Sequence, residues 1–285
     1  MAAFLIFVTV SVISAQPAQA LPEEVLNSIV AIVPDLPIRQ RLKEPEGSGV
    51  ILFAGGYVAT AAHVMGPATT ARLRLQDGRQ ITANLVGSDT ATDIALLKAD
   101  IDLPVIGLGT VPALAYPVCA IGNPFGLGNS VSCGVVSALR RTGTGFNQIE
   151  DFIQTDATVN PGMSGGALVT ADGKLVGIVT AIFTKDSDAN IGVNFASSLD
   201  LLLRVATDLR DYGAYRQAAF PFRGRRLNTE QDKAPFGVIL EIDRRPIRKP
   251  ADVASAIGLR RPGDPVEVVT ERAGQTITQI IELPK

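Results

Sequence analysis

The stretch Asn160-Pro161-Gly162-Met163-Ser164-Gly165-Gly166 sets one serine among three glycines. Glycines on both sides of a serine favour a tight turn that exposes its hydroxyl, as a nucleophile requires. They also let backbone N–H groups converge on one point, so Gly162 and Ser164 are predicted to form an oxyanion hole. The alternative is an ordinary glycine-rich surface turn, because the chain holds 27 glycines.

Two further residues have the chemistry that would complete such a site. His63 is the only histidine of the chain and follows the run Thr60-Ala61-Ala62. It is therefore the conventional general base for the serine. Asp93 stands at the start of the apolar run 94–97 and is predicted to orient the imidazole, with Asp89 as a nearby competitor. The predicted catalytic residues are His63, Asp93 and Ser164.

The order of these three residues along the chain discriminates between folds. Residues 162–166 also match the G-x-S-x-G elbow of α/β-hydrolases, but that fold places its histidine after the serine. No histidine follows Ser164. The subtilisin order places an aspartate before the histidine, and only Asp35, in a proline-rich segment, precedes His63. The order His, Asp, Ser is that of chymotrypsin.

Short apolar or alternating runs, broken by Gly, Pro, Asp and Asn, fill residues 29–196. Arginine and leucine alternate over residues 71–75, which is the pattern of a half-buried strand. Many short strands of this kind predict a sandwich or barrels. Residues 99–116, rich in Pro and Gly, are predicted to link two such halves. The predicted strands are 49–53, 71–75, 80–86, 94–97, 117–121, 130–139, 175–182 and 191–195.

A different pattern begins after residue 196. Residues 199–212 have helical spacing of apolar residues, with Ser197 or Ser198 as the cap and Gly213 as the end. Residues 220–233 are polar and basic and are predicted to be a linker. A small second unit is predicted to follow, with strands at 238–242, 266–270 and 276–283 and a helix at 250–258.

The chain resembles the HtrA (Deg) family of exported serine proteases in a series of motifs. The resemblance covers residues 23–212 and implies a mainly β fold. Two six-stranded antiparallel barrels of the trypsin type, with the triad between them, would be followed by one or more PDZ domains. It implies a serine endopeptidase acting on unfolded or exported polypeptides, with a chaperone-like peptide-binding protein or an esterase as rivals. Family members commonly have Asn at the position of Met163. The matching motifs are 47–51 (GSGVI), 60–64 (TAAHV), 92–98 (TDIALLK), 120–128 (AIGNPFGLG), 154–157 (QTDA), 160–168 (NPGMSGGAL) and 190–196 (NIGVNFA).

The predicted division of the chain has four parts: a signal peptide at 1–20, the protease domain at 21–198, a connecting helix and linker at 199–222, and a shortened PDZ-like domain at 223–285. The signal peptide is indicated by the apolar run 4–13 and the small-x-small site Ala18-Gln19-Ala20. It predicts export to the periplasm or secretion.

The C-terminal unit is predicted to lack a complete peptide groove. Residues 223–227 resemble the carboxylate-binding loop of the family's PDZ domain, and residues 237–247 resemble a later strand and turn. Only nine residues, 228–236, separate them. A complete PDZ domain has two strands and a short helix in that interval, including the edge on which a peptide adds as a strand.

The substrate pocket of a chymotrypsin-like fold is walled by residues just before the nucleophile and by a nearby strand. No acidic residue stands at these positions, so a buried Lys or Arg would lack a counter-charge. Cleavage after small or medium aliphatic residues is therefore predicted. The predicted pocket residues are Thr158, Val159, Thr180, Ala181 and Ile182.

Cys119 and Cys133 are the only cysteines. If residues 123–128 form a hairpin turn centred on Gly126, the two cysteines face each other across the strands, close enough for a disulfide. Two buried free thiols are the other interpretation.

Composition excludes several kinds of partner. The formal net charge is −2 and the basic residues are scattered, which argues against nucleic acid. One histidine and no CxxC motif argue against a metal site, and the mechanism implies no cofactor. No segment after the signal peptide is long and apolar enough to span a membrane. Homo-oligomers are implied by the family, whose trimers use N-terminal aromatic residues. Residues 34–46 contain none, so the trimer is left open.

Overall fold

A computed structural model describes residues 20–36, 47–182, 192–221 and 238–285. The side chains of residues 181 and 182 are outside the described set. The predicted signal peptide, except Ala20, therefore lies outside the described residues, as does the carboxylate-binding-loop resemblance at 223–227.

The first half of the chain forms a closed antiparallel barrel with the strand order β1-β2-β3-β6-β5-β4. Its interior is filled by the inward side chains of alternating positions, among them Ile32, Ile51, Leu73 and Leu97. A single helical turn, α1 (Ala62–Met65), follows β3 directly. The strands are β1 Ile29–Pro34, β2 Gly47–Phe53, β3 Tyr57–Ala61, β4 Thr70–Arg74, β5 Gln80–Asp89 and β6 Ile94–Ala99.

The second half forms another closed barrel, in the order β10-β11-β12-β9-β8-β7. Val118, Val136, Ile153 and Leu168 fill its core. The prediction of two six-stranded antiparallel barrels is therefore confirmed. The strand predicted at 191–195 is observed at Asn194–Ser198, so its predicted position was wrong. The strands are β7 Pro117–Gly122, β8 Ser130–Arg141, β9 Phe152–Thr155, β10 Ala167–Thr170, β11 Leu175–Ile182 and β12 Asn194–Ser198.

The helix α2 (Leu199–Tyr212) packs on both barrels. The Oγ of Ser198 accepts a hydrogen bond from the N–H of Leu201 at 3.3 Å and so caps its first turn. Gly213, at φ 75°, ends the helix in the left-handed conformation that glycine adopts without strain. The apolar face of α2 is buried in a cluster that includes Ile94 of the first barrel and Ile178 of the second. The helix thus fixes the barrels against each other.

The C-terminal unit is a four-stranded sheet, in the order β14-β13-β15-β16, with the helix α3 (Pro250–Gly258). Ile242, Ile257 and Val266 lie in its own buried cluster. The predicted helix and three strands are confirmed, whereas the two-residue strand β14 was not predicted. The strands are β13 Val238–Ile242, β14 Arg245–Pro246, β15 Pro265–Arg272 and β16 Gln275–Glu282.

This unit is joined by polar contacts to the second barrel and to the segment that follows α2. The Nη1 of Arg245 donates to the Oδ1 of Asp151 at 2.7 Å, and the hydroxyl of Tyr215 donates to the carbonyl of Gly258 at 2.7 Å. Across the described ranges of the chain, helices capable of crossing a membrane do not occur.

Candidate active site

His63 and Asp93 meet because two neighbouring strands end at the same edge of the first barrel. Strand β3 pairs with β6, and Ala61 lies opposite Ile94. His63 follows the end of β3 on α1, and Asp93 directly precedes β6. The N–H of Ala62 donates to the carbonyl of Asp93 at 3.1 Å, which ties the two strand ends together.

The carboxylate of Asp93 contacts His63 at two points, one on the imidazole ring and one on the backbone. Its Oδ2 lies 2.8 Å from the Nδ1 of His63, and its Oδ1 accepts from the His63 backbone N–H at 2.9 Å. Because an ionised carboxylate can only accept, Nδ1 carries the hydrogen in this contact. The Nε2 lone pair is then the basic site of the ring. The carboxylate is shielded, with 11% of its side chain exposed, whereas the imidazole is 51% exposed.

The second barrel contributes a further hydrogen bond to this carboxylate. The hydroxyl of Thr180, on β11, donates to the Oδ2 of Asp93 at 2.6 Å. Thr180 is 5% exposed, so the pair is screened from water. The sequence had placed Thr180 in the wall of the substrate pocket, and its hydroxyl instead binds the aspartate. The alternation of β11 does not reveal this, because the partner is 87 residues away.

Ser164 lies on a turn whose glycines are required by their surroundings. Gly162 and Gly165 have φ values of 95° and 82°, in the left-handed region that favours glycine. A Cβ at Gly165 would lie 2.2 Å from the carbonyl oxygen of Ser48 and 2.2 Å from the Oγ1 of Thr60. The segment is packed against the first barrel at Gly165, which argues against the interpretation as an ordinary glycine-rich surface turn.

Two carbonyl groups of this turn accept backbone hydrogen bonds within the protein. The carbonyl of Pro161 accepts from the N–H of Phe125 at 3.0 Å, and that of Met163 accepts from Gly166 at 2.9 Å. In a trans peptide the N–H points away from the C=O. The N–H of Gly162 shares a peptide unit with the Pro161 carbonyl, and the N–H of Ser164 shares one with the Met163 carbonyl. Both N–H groups therefore point away from the residues that bind these carbonyls.

Ser48 links the serine turn to the first barrel. Its backbone N–H donates to the carbonyl of Ser164 at 2.8 Å, and its hydroxyl donates to the carbonyl of Gly162 at 2.7 Å. The same hydroxyl accepts from the N–H of Asn123 at 2.8 Å. Ser48 is fully buried. The sequence showed Ser48 within a family motif but gave no sign of this role.

The other predicted pocket residues have varied surroundings. Thr158 is exposed, and Val159 is 2% exposed and packs in the core cluster of the second barrel. The side chains of Ala181 and Ile182 lie outside the described residues. The pocket assignment stays a prediction.

Cys119 and Cys133 lie opposite each other on β7 and β8, as the hairpin argument predicts. Their Cα atoms are 4.0 Å apart and their sulfur atoms are joined at 2.06 Å. Among the described residues, no group of His, Cys, Asp and Glu side chains is arranged to hold a metal ion.

Comparisons with known proteins agree with this geometry. The family described as trypsin-like peptidase domain matches residues 47–178. The periplasmic serine endoprotease DegP of Salmonella typhimurium is 36% identical over 269 residues, which are 83% of this chain and 56% of that protein. DegP of Escherichia coli K12 is 44% identical over 194 residues, which are 66% of this chain and 40% of that protein. The chain thus spans about half the length of these curated relatives.

Two solved structures are similar over most of the chain. The HtrA-type protease AlgW with a tripeptide has 33% sequence identity and a TM-score of 0.71, covering 92% of this chain and 95% of that one. The serine endoprotease from Yersinia pestis has 31% identity and a TM-score of 0.64, covering 92% of this chain and 97% of that one.

Proposed function

Because this chain belongs to the HtrA-type family of trypsin-like serine proteases, we propose that it is an exported, periplasmic serine endopeptidase with His63, Asp93 and Ser164 as its triad. The observation that carries the proposal is the carboxylate of Asp93, which is bound by His63 from one barrel and by Thr180 from the other. The periplasmic location follows the names of the relatives. The substrates proposed are unfolded or exported polypeptides.

The reaction begins with transfer of the Ser164 hydroxyl proton to the Nε2 of His63 as the Oγ attacks the peptide carbonyl carbon. The π bond of the carbonyl opens, and its oxygen takes the negative charge of the tetrahedral intermediate. The N–H groups of Gly162 and Ser164, which point away from the bonded carbonyls of their own peptide units, would donate to this oxygen. Each such donor contributes about 3–4 kcal/mol to the stabilisation of the transition state.

Collapse of the intermediate breaks the C–N bond. The imidazolium of His63 gives its proton to the departing amine, and an acyl ester on Ser164 is left. Water then attacks the ester while His63 takes one of its protons, and the serine regains its hydrogen as the carboxylic acid leaves. Asp93 keeps the hydrogen on Nδ1 throughout and stabilises the positive imidazolium.

The proposed preference is for small or medium aliphatic residues before the cleaved bond. The predicted pocket positions at 158–159 and 180–182 contain no acid. A Lys or Arg side chain of the substrate would therefore lose its hydration without gaining a counter-charge.

A fluorophosphonate probe tests the proposal directly, since it labels only an activated serine. Labelling and cleavage of unfolded casein are expected for the wild type and should fall by at least about a thousandfold in Ser164→Ala, His63→Ala and Asp93→Asn. Labelling without casein cleavage would indicate an esterase. Peptide binding without labelling would favour the chaperone-like alternative.

Asp89→Asn is the matched control for Asp93→Asn. The Oδ2 of Asp89 accepts from the N–H and the hydroxyl of Thr92, at 2.9 and 2.7 Å, whereas the Nδ1 of His63 is bound by Asp93. An asparagine oxygen can accept in the same place, so activity should stay within about tenfold of wild type. If Asp89→Asn is the inactive variant and Asp93→Asn is active, the triad assignment is wrong.

A further inference from the structure

The turn that presents Asp93 has a demanding backbone. Asp93 is a non-glycine residue with φ 58°, in the left-handed region. Such a conformation persists only when its surroundings hold it. Inside the turn, the carboxylate of Asp89 binds the N–H and hydroxyl of Thr92. These two hydrogen bonds fix Thr92, the residue before Asp93. They do not involve the carbonyl groups of the turn, which are bound by other residues.

A loop of the second barrel donates hydrogen bonds to carbonyl groups of this turn. The loop joins β8 to β9 and reaches the turn at two consecutive carbonyl groups. The Nδ2 of Asn147 donates to the carbonyl of Thr92 at 3.2 Å, and the N–H of Ile149 donates to the carbonyl of Ala91 at 2.9 Å. The Thr92 carbonyl and the Asp93 N–H share one planar peptide unit. The Asn147 amide therefore fixes the orientation of this peptide plane, which is the reference for the φ rotation about the N–Cα bond of Asp93.

The loop is held rigid by a buried carboxylate. Glu150, 2% exposed, accepts hydrogen bonds from the hydroxyl of Thr144 and from four backbone N–H groups. The donors are the amides of residues 144, 145, 146 and 147, at 2.7 to 3.1 Å. Successive N–H groups around one anion form a nest, which fixes the backbone they belong to. Asn147 is the last residue of this nest, so its amide is presented to Thr92 from a fixed backbone.

We propose that Asn147 is a positioning residue of the active site, which holds the turn of Asp93 so that the carboxylate meets the Nδ1 of His63. The inference rests on the proposed triad for its effect on turnover, but its effect on the His63–Asp93 contact is independent of catalysis. Asn147 touches neither the imidazole nor the serine in any described contact. It acts through the Thr92 carbonyl alone.

The single histidine of the chain makes a direct measurement available. In a Ser164→Ala background with labelled histidine, NMR reports one imidazole, and the hydrogen on its Nδ1 reports the bond to Asp93. In Asn147→Ala the Nδ1 hydrogen signal should broaden or vanish. The imidazole titration midpoint should fall by about one pH unit, because a more distant carboxylate stabilises the imidazolium less. The carboxylates at this turn are Asp93, Asp89 and Glu150, and the substitution leaves all three charges in place.

Two further variants separate the hydrogen bond from simple packing. Asn147→Leu keeps the side-chain size without a donor and should behave like Asn147→Ala. Asn84→Ala removes an exposed asparagine from β5, the strand leading to the same turn, and should match wild type in every readout. In the active protein, both Asn147 variants should lower kcat about tenfold and leave KM within twofold.

The outcomes are distinguishable. If Asn147→Leu restores the His63 signal and the wild-type kcat, the role is packing and the inference is overturned. If folded Asn147→Ala keeps the wild-type imidazole midpoint and Nδ1 signal, it is likewise overturned. A wild-type protein with an intact Nδ1 signal that no fluorophosphonate labels would instead refute the proposed function, and the NMR comparison would still decide the role of Asn147.

Discussion

Replacing Asp151 with asparagine should destabilise the protein far more than the same change at a surface ion pair. Asp151 is 3% exposed at its side chain and faces Arg245, which is 16% exposed. Its carboxylate also accepts from the hydroxyl of Ser198 at 2.6 Å and that of Ser255 at 3.4 Å. Removing one partner of a buried pair leaves an uncompensated charge and costs about 3–5 kcal/mol. Because Arg245 retains some exposure, we expect the lower end, about 3 kcal/mol.

The matched control is Asp211→Asn, which breaks the pair of Arg210 and Asp211, exposed by 34% and 41%. Solvent screens the attraction in such exposed pairs, so they contribute little to stability. At about 2–4 °C per kcal/mol for a domain of this size, Asp151→Asn should melt about 6–12 °C below the parent, whereas Asp211→Asn should melt much closer to the parent. Melting is measured by circular dichroism in the Ser164→Ala background, which prevents self-cleavage. Equal melting temperatures for the two variants would show that the pair of Asp151 and Arg245, which links the C-terminal unit to the second barrel, adds little to the free energy of unfolding.

Three further predictions concern specificity, covalent structure and peptide binding, and one concerns alkaline pH. A peptide-library profile should be dominated by Ala, Val or Ile at the position before the cut, and a profile led by Arg or Lys would refute the pocket assignment. Because Cys119 and Cys133 are joined, intact mass after alkylation without reductant should show no alkylated cysteine, whereas two added groups would show free thiols. Peptides with hydrophobic C termini should not bind saturably at micromolar concentration, and binding lost on deletion of residues 223–285 would contradict the shortened PDZ-like groove. Burial raises the pKa of Tyr215 to about 12, above the value of about 10 in an unfolded chain, so its contribution to stability is complete below pH 10 and is lost as the pH rises towards 12. Between pH 10 and pH 12 the melting temperature should fall less steeply in Tyr215→Phe than in the wild type. An identical slope in the two proteins would argue against the raised pKa of Tyr215.

Most of the barrel strands were predictable because their signals are local, although β1, β9 and β10 were not among the predicted strands. Period-2 alternation and turn residues report a strand wherever one face is buried. Residues 199–212 likewise carry their own cap and glycine stop, and the structure has the helix at those bounds. The positions of His63 and Asp93 at strand ends follow from the same reading, since a site residue at the end of an apolar run is placed at a barrel edge.

The supporting contacts were not predictable, because each joins residues from different barrels or units. The hydroxyls of Thr180 and Ser48 reach partners 87 and 114 residues away. Neither residue is marked by its neighbours, and a threonine in a strand is equally at home facing a pocket, a core or a carboxylate. The ion pair of Asp151 and Arg245 spans 94 residues and depends on how the C-terminal unit sits.

The two barrels hold each other's functional groups, and this makes the site a property of their interface. Thr180 of the second barrel fixes the carboxylate of the first, and Ser48 of the first barrel fixes the carbonyls on either side of Met163 in the second. A shift between the barrels would lengthen bonds on both sides at once. The geometry of the proposed base and nucleophile therefore varies together. The helix α2, which packs on both barrels, thus supports the proposed site although it carries none of its residues. Since Ser198 both caps α2 and binds Asp151, the same chain of contacts extends to the C-terminal unit.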